Sequence, residues 1–97
     1  MPTYVSLLSY TDQGIRNIKE SPKRLEATRK ALKKLGGELK AFYLTQGHYD
    51  GVLIFEVPTE AALTQFLLTT GAAGNVRTTT LRAYTEDEFR QHITALP

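Results

Sequence analysis

The run Gly47-His48-Tyr49-Asp50-Gly51 sets a carboxylate beside a phenol between two glycines. An aspartate with a phenol nearby is the pair that proton abstraction, or recognition of a ligand hydroxyl, requires, so Asp50 and Tyr49 are the candidate catalytic residues. An aspartate between glycines is also what a turn uses to hydrogen-bond its own backbone, and that structural role stands beside the chemical one. His48 could shuttle protons near neutral pH, although an imidazole at a hairpin tip is ordinarily solvated. His92 lies far along the chain, so His48 and Asp50 leave a 2-His-1-carboxylate centre short of a ligand, and no metal is expected. Thr78-Thr79-Thr80, flanked by Arg77 and Arg82, offers hydroxyls and guanidinium groups to an anion, while threonine runs are also ordinary on exposed strands. Arg82 is the stronger half of that set. Gln13, Gly14 and Lys19 lie in a long connection, the kind of segment that often carries ligand contacts. The glycines form neither G-x-G-x-x-G nor G-x-x-x-x-G-K-[ST], and no serine sits in G-x-S-x-G. Neither a nucleotide cofactor nor a hydrolase nucleophile is implied.

The frame that must position these residues is small. The chain has 97 residues, 41% hydrophobic and 23% charged, which suits one domain, residues 1–97, with one core and no separate cofactor lobe. It contains no cysteine, which removes disulfides, zinc thiolates, iron–sulfur clusters and thiol nucleophiles, and suits a cytoplasmic setting. No run approaches the roughly 20 apolar residues that span a bilayer, and Met1 to Tyr10 does not read as an export signal. Residues 1–40 carry nine Lys/Arg and four Asp/Glu, whereas residues 41–97 carry three and six. Such polarity lets two copies attract each other, but a total of +2 is far from the balance of a nucleic-acid binder.

Thr3 to Tyr10 is rich in β-branched, aromatic and aliphatic residues and ends in Thr11-Asp12-Gln13-Gly14, so it reads as a strand and a turn. Ser21-Pro22 reads as an N-cap and first helical residue. Leu25, Thr28, Leu32 and Leu35 recur at helical spacing until Gly36-Gly37. On the outer face, Glu26 is placed to pair with Lys30. Glu38 to Gln46 and Val52 to Val57 form a hairpin around the glycine-flanked run. Pro58-Thr59-Glu60 opens a helix carrying Leu63, Phe66 and Leu67, which Gly71-Ala72-Ala73-Gly74 ends. Asn75 to Tyr84 is a strand, and Thr85 with Glu88 forms a capping box for an amphipathic helix carrying Phe89, Ile93 and Leu96. The order β-α-β-β-α-β-α is the α+β, ferredoxin-like split βαβ: a four-stranded antiparallel sheet with helices on one face, the other face open, and an added C-terminal helix.

Alternation along each strand assigns side chains to the two faces. Taking the smaller sets, Val5, Leu7 and Ser9 with Thr79, Leu81 and Ala83, as the helix side puts Tyr4, Tyr10, Thr78, Thr80, Arg82 and Tyr84 on the open face with Val52 and Ile54. An apolar surface of that size calls for a second copy or a ligand to cover it.

Gly47-His48-Tyr49-Asp50 matches the glycine, any residue, tyrosine, aspartate motif of the GYD domain family. Tyr10-Thr11-Asp12-Gln13-Gly14, Phe42-Tyr43-Leu44-Thr45 and Gly74-Asn75-Val76-Arg77-Thr78-Thr79-Thr80 resemble its other recurring segments, so the resemblance spans nearly the whole chain. It implies a small ferredoxin-like domain similar to the dimeric α+β barrels, and supplies no reaction. The expectation is a homo-oligomer that binds a small molecule in a pocket on the open sheet face or at the subunit interface. Tyr10, Tyr43, Tyr49, Asp50, Thr78 and Arg82 would line that pocket. The alternative is a cofactor-independent oxygenase, isomerase or decarboxylase using Asp50 as base, with Tyr49 or Arg82 stabilising an oxyanion. RNA-recognition domains share this fold, but here the strand that should carry basic and stacking residues reads Tyr49-Asp50-Gly51-Val52-Leu53-Ile54-Phe55. No nucleic acid is expected as a partner.

Overall fold

Tyr4, Leu8, Leu53, Phe55 and Phe66 are large enough to fill the space between a sheet and two helices, and the chain folds around them. The computed structural model describes all of Met1–Pro97. Strand β1 (Thr3–Tyr10) is followed by a short helix α1 (Asp12–Arg16), a 3₁₀ turn (Ile18–Glu20) and helix α2 (Ser21–Lys34). The hairpin strands β2 (Glu38–Leu44) and β3 (Gly51–Glu56), helix α3 (Glu60–Ala72), strand β4 (Val76–Ala83) and helix α4 (Glu86–Thr94) complete the chain. The four strands are antiparallel in the order β2-β3-β1-β4, the ferredoxin-like arrangement, with the central strands β3 and β1 paired between two edges. No helix is long and apolar enough to cross a membrane.

Core packing decides which parity of each strand meets the helices. Phe55 and Leu32 are fully buried, with the Tyr4 ring stacked at 5.7 Å and the Phe66 ring at 4.9 Å from Phe55. Tyr4, Ser6, Leu8 and Tyr10 therefore face the helices, reversing the assignment made from residue size. Cross-strand pairing carries β4 with them: Tyr4 opposes Arg82, Ser6 opposes Thr80, and Leu8 opposes Thr78. The reversal has a volume cause, because Val5 and Leu7 would leave the space under α2 and α3 underfilled where a tyrosine and a leucine fill it. Ser6 tolerates full burial because its Oγ shares a hydrogen bond of 2.9 Å with Thr80 Oγ1. The open face instead carries Val5, Leu7, Thr79 and Leu81, together with Val52, Ile54 and Tyr43. Only Val52 and Ile54 were legible there from the alternation.

Other local expectations shift for identifiable reasons. Ser21 is the first residue of α2, not its cap; Glu20 takes the cap position without a side-chain bond, and the Ser21 hydroxyl turns to the Tyr10 phenol at 3.3 Å. Glu26 pairs with Arg29 at 3.6 Å, one turn away, rather than with Lys30. The connection after β1 is helical rather than open, with Thr11 capping α1 through the Gly14 amide. The capping box of Thr85 and Glu88 forms as expected. Amide and hydroxyl bonds from Thr85, reinforced by Arg82, hold the Glu88 carboxyl below the usual carboxylate range. Phe89, Ile93 and Leu96 on the resulting tail remain exposed.

Candidate functional site

The helix faces that meet across the sheet are built from small residues. Ala27, Thr28 and Ala31 on α2 confront Thr69 and Thr70 on α3 and Ala73 just beyond it, and none is long enough to close the gap between the helices. A cleft of about 460 Å3 results, floored by Leu8, Phe42, Leu53 and Val76 and walled by Leu25, Leu35 and Phe66. Eleven of its 19 lining residues are hydrophobic, so the cleft is mainly apolar. It lies on the helix side of the sheet, not on the open sheet face, which with the subunit interface was the expected place for a pocket.

One end of the cleft is polar. Tyr10 reaches it from the end of β1, Ser21 and Arg24 from the first turns of α2, and Asn75 from just before β4. The α1 turn closes around this end. Thr11 donates its amide to Asn75 O (3.1 Å) and its hydroxyl to Gly74 O (2.6 Å), while Gln13 Nε2 donates to Ala73 O and Asn75 Oδ1. Arg24 donates to the carbonyls of Asn17 and Gly14, at 3.0 and 3.4 Å. The long connection singled out from the sequence thus contributes by bracing, not by offering Lys19.

The hairpin motif meets the same place from behind. Gly47 has φ +119°, which a side chain would strain, and the Thr45 hydroxyl donates to Tyr49 O at 2.7 Å. The Asp50 amide donates to Leu8 O, and Asp50 Oδ2 accepts the Tyr10 amide at 2.9 Å. That carboxylate holds the end of β1, and with it the residue whose phenol enters the cleft. Tyr49 packs edge-on against His48 at 4.9 Å.

The six expected lining residues do not share one surface. Asp50 meets Tyr10, and Tyr10 alone of the six lines the cleft. Tyr43 lies on the open face opposite Val52, with 61% of its surface exposed. Thr78 opposes Leu8, and Arg82 opposes Tyr4, six residues and about 20 Å along β1 from Tyr10 at ~3.3 Å per residue. There Arg82 lies over the Tyr84 ring at 4.3 Å, donates to Thr3 O and pairs with Glu88 at 3.9 Å, so its charge is already partnered. The residues that the sequence reading missed, Arg24, Ala31, Thr69 and Asn75 among them, lie on helices and just before a strand. Their one advance signal was the small and hydroxyl residues repeating on the facing stripes of both long helices.

The GYD domain profile matches residues 4–93, almost the whole ordered fold. The chain belongs to the GYD domain family. This GYD domain is 31% identical over 84 residues to a Thermus thermophilus protein named glutamine synthetase and cystathionine beta-lyase binding protein, the match covering 86% of this chain and 88% of that one. Among solved structures it is similar to a hypothetical protein from Pyrococcus horikoshii, with a TM-score of 0.57, 23% identity, and coverage of 89% and 93%. It is also similar to 5-chloro-2-hydroxyhydroquinone dehydrochlorinase from Burkholderia phenoliruptrix, solved with 2,5-dihydroxybenzoquinone. That TM-score is 0.58 at 16% identity, covering 90% of this GYD domain and 97% of the dehydrochlorinase. The two structural likenesses establish the shared fold.

In this GYD domain the Asp50 to Tyr10 bond is open to direct measurement. Asp50→Ala is expected to lower stability by about 1–2 kcal/mol through the amide left unpaired, and Asp50→Asn, which keeps an acceptor, by less than half of that. Urea midpoints of the two variants against the parent chain check the order.

Proposed function

We propose that the chain is a non-catalytic binding domain that takes an apolar small molecule in the cleft between α2 and α3 and associates with a second copy through its open sheet face. The cleft carries this reading: it is large, mainly apolar, braced at its polar end by α1 and the hairpin, and lined by no aspartate, glutamate or histidine. The catalytic alternative needs Asp50 as a base, yet its carboxylate accepts the Tyr10 amide and lies outside the lining. Asp50 is accordingly a positioning residue for Tyr10. The second surface is supported by Val5, Leu7, Val52, Ile54 and Leu81, which form one apolar band across the sheet, Leu81 exposed and the other four half-buried. The Thermus relative's name, a binding protein for two enzymes, favours a second reading in which that band, or the exposed side of α4, meets an enzyme surface.

Ala31 lines the cleft from α2, so Ala31→Trp sets a large ring against it. The neutral fluorophore N-phenyl-1-naphthylamine is expected to bind the parent chain with a blue-shifted emission and to lose at least tenfold in affinity for Ala31→Trp, with the thermal midpoint of the variant followed in parallel. A dye that ignores the parent chain, or binds a folded Ala31→Trp equally well, removes the cleft as a ligand site.

A further inference from the structure

We propose that the ligand of this cleft is a medium-chain monocarboxylate, its carboxylate beside Arg24 and its alkyl chain laid along α2; this rests on the cleft being a ligand site and names the class of molecule it takes. The charge balance is the first argument. Two cations, Arg24 and Lys34, line the cleft and no acidic residue does. The five ion pairs of the chain involve neither of them, and the partners of Arg24 are two backbone carbonyls. Lys34 is exposed and water can satisfy it, whereas Arg24 is half-buried, where an unpaired guanidinium gains most from a carboxylate.

The surroundings of Arg24 complete the head-group site. Ser21 lies one turn before it on the same helix, and the Ser21 and Tyr10 hydroxyls share one hydrogen bond of 3.3 Å, so one of the two protons is free for an anion. Asp50, by holding the Tyr10 amide, fixes where that phenol stands. The shape of the cleft supplies the tail. Its α2 lining recurs at every turn from Ser21 to Leu35, about 21 Å at ~1.5 Å per residue, and beyond Arg24 it passes Leu25, Thr28, Ala31 and Leu35 over Phe42 and Leu53. A long apolar trough with one half-buried cation at its end suits a single carboxylate on a flexible chain. A nucleotide would need phosphate-binding loops and more than one cation at the head, and the lining offers neither.

Competition against bound N-phenyl-1-naphthylamine tests the class with the intact chain. Decanoate is expected to displace the dye at a concentration at least tenfold lower than 1-decanol, which has the same tail and no charge. Arg24→Gln should abolish that preference, Arg24→Lys should restore part of it, and Lys30→Gln, on the solvent side of α2, should leave it intact. Equal displacement by the acid and the alcohol, or a preference that survives in a folded Arg24→Gln, overturns the proposal while leaving the cleft as an apolar site. Should Arg24→Gln fail to fold, the acid-to-alcohol ratio on the parent chain decides alone. A dye that binds and yields to neither compound removes the chain-shaped ligand altogether, and a dye that never binds removes the cleft reading beneath it.

Discussion

Ile54→Lys is expected to turn the proposed dimer into a folded monomer. Ile54 stands on the open face between Val5 on β1 and Ala41 on β2, with Leu81 across from Val5, so it occupies the middle of the apolar band. An ammonium placed there would have to be buried unpaired in a face-to-face assembly. That costs about 3 kcal/mol or more, roughly a hundredfold or greater weakening of association. The helix-side core does not include Ile54, so the fold itself should survive the change. Sedimentation equilibrium at micromolar protein should show the parent chain as a dimer and the variant as a monomer with an unchanged circular dichroism spectrum. A parent chain that sediments as a monomer would remove the self-association reading and leave the band to a different protein partner.

Gly14→Ala carries the second large effect, and it acts on the bracing of the cleft. A methyl group at Gly14 would lie 1.9 Å from the Asn75 carbonyl oxygen and 2.8 Å from its carbon. Both neighbours are backbone, so no rotamer change relieves the overlap, and the α1 turn must move away from β4. That movement breaks the Thr11 bonds to Asn75 and Gly74 and the two Gln13 contacts, the set that closes the polar end of the cleft. The expected loss is about 3 kcal/mol, at the upper end for an overpacked site, with dye affinity falling as the head-group end opens. Urea unfolding with an unchanged slope would measure it, and a parent-like midpoint would show that the α1 turn is not held by this contact.

Both predictions turn on features of unequal visibility in the chain. The Tyr10-Thr11-Asp12-Gln13-Gly14 segment was recognisable as a recurring pattern, but the reason for Gly14 is a carbonyl some sixty residues away in sequence, which no local pattern reveals. Asp50 stands out in the sequence as a candidate base or turn residue, and in the structure its carboxylate accepts a backbone amide. Its partner, the amide of Tyr10, lies 40 positions earlier and is brought to it by β1 pairing with β3. Arg24 sits in the sequence among Lys23, Arg29 and Lys30, where nothing local distinguishes it. The structure half-buries it because α1 folds back over the first turns of α2.

The sequence by itself determined the order of the four strands and the three longer helices, the boundaries near Gly36-Gly37 and Thr85-Glu88, and the ferredoxin-like architecture, because each follows from short-range periodicity and capping. Tertiary structure alone decided which parity of β1 and β4 is buried. Both parities of β1 are apolar enough to serve, Val5 and Leu7 on one side and Tyr4 and Leu8 on the other, so hydrophobicity could not choose between them. The choice was made by volume, since Phe55, Phe66 and Leu32 leave a space that a tyrosine ring fills and a valine does not. The cleft has the same origin: its width is the distance between two helices, set jointly by alanines and threonines more than 35 residues apart, and such a distance exists only once both helices are seated on the sheet.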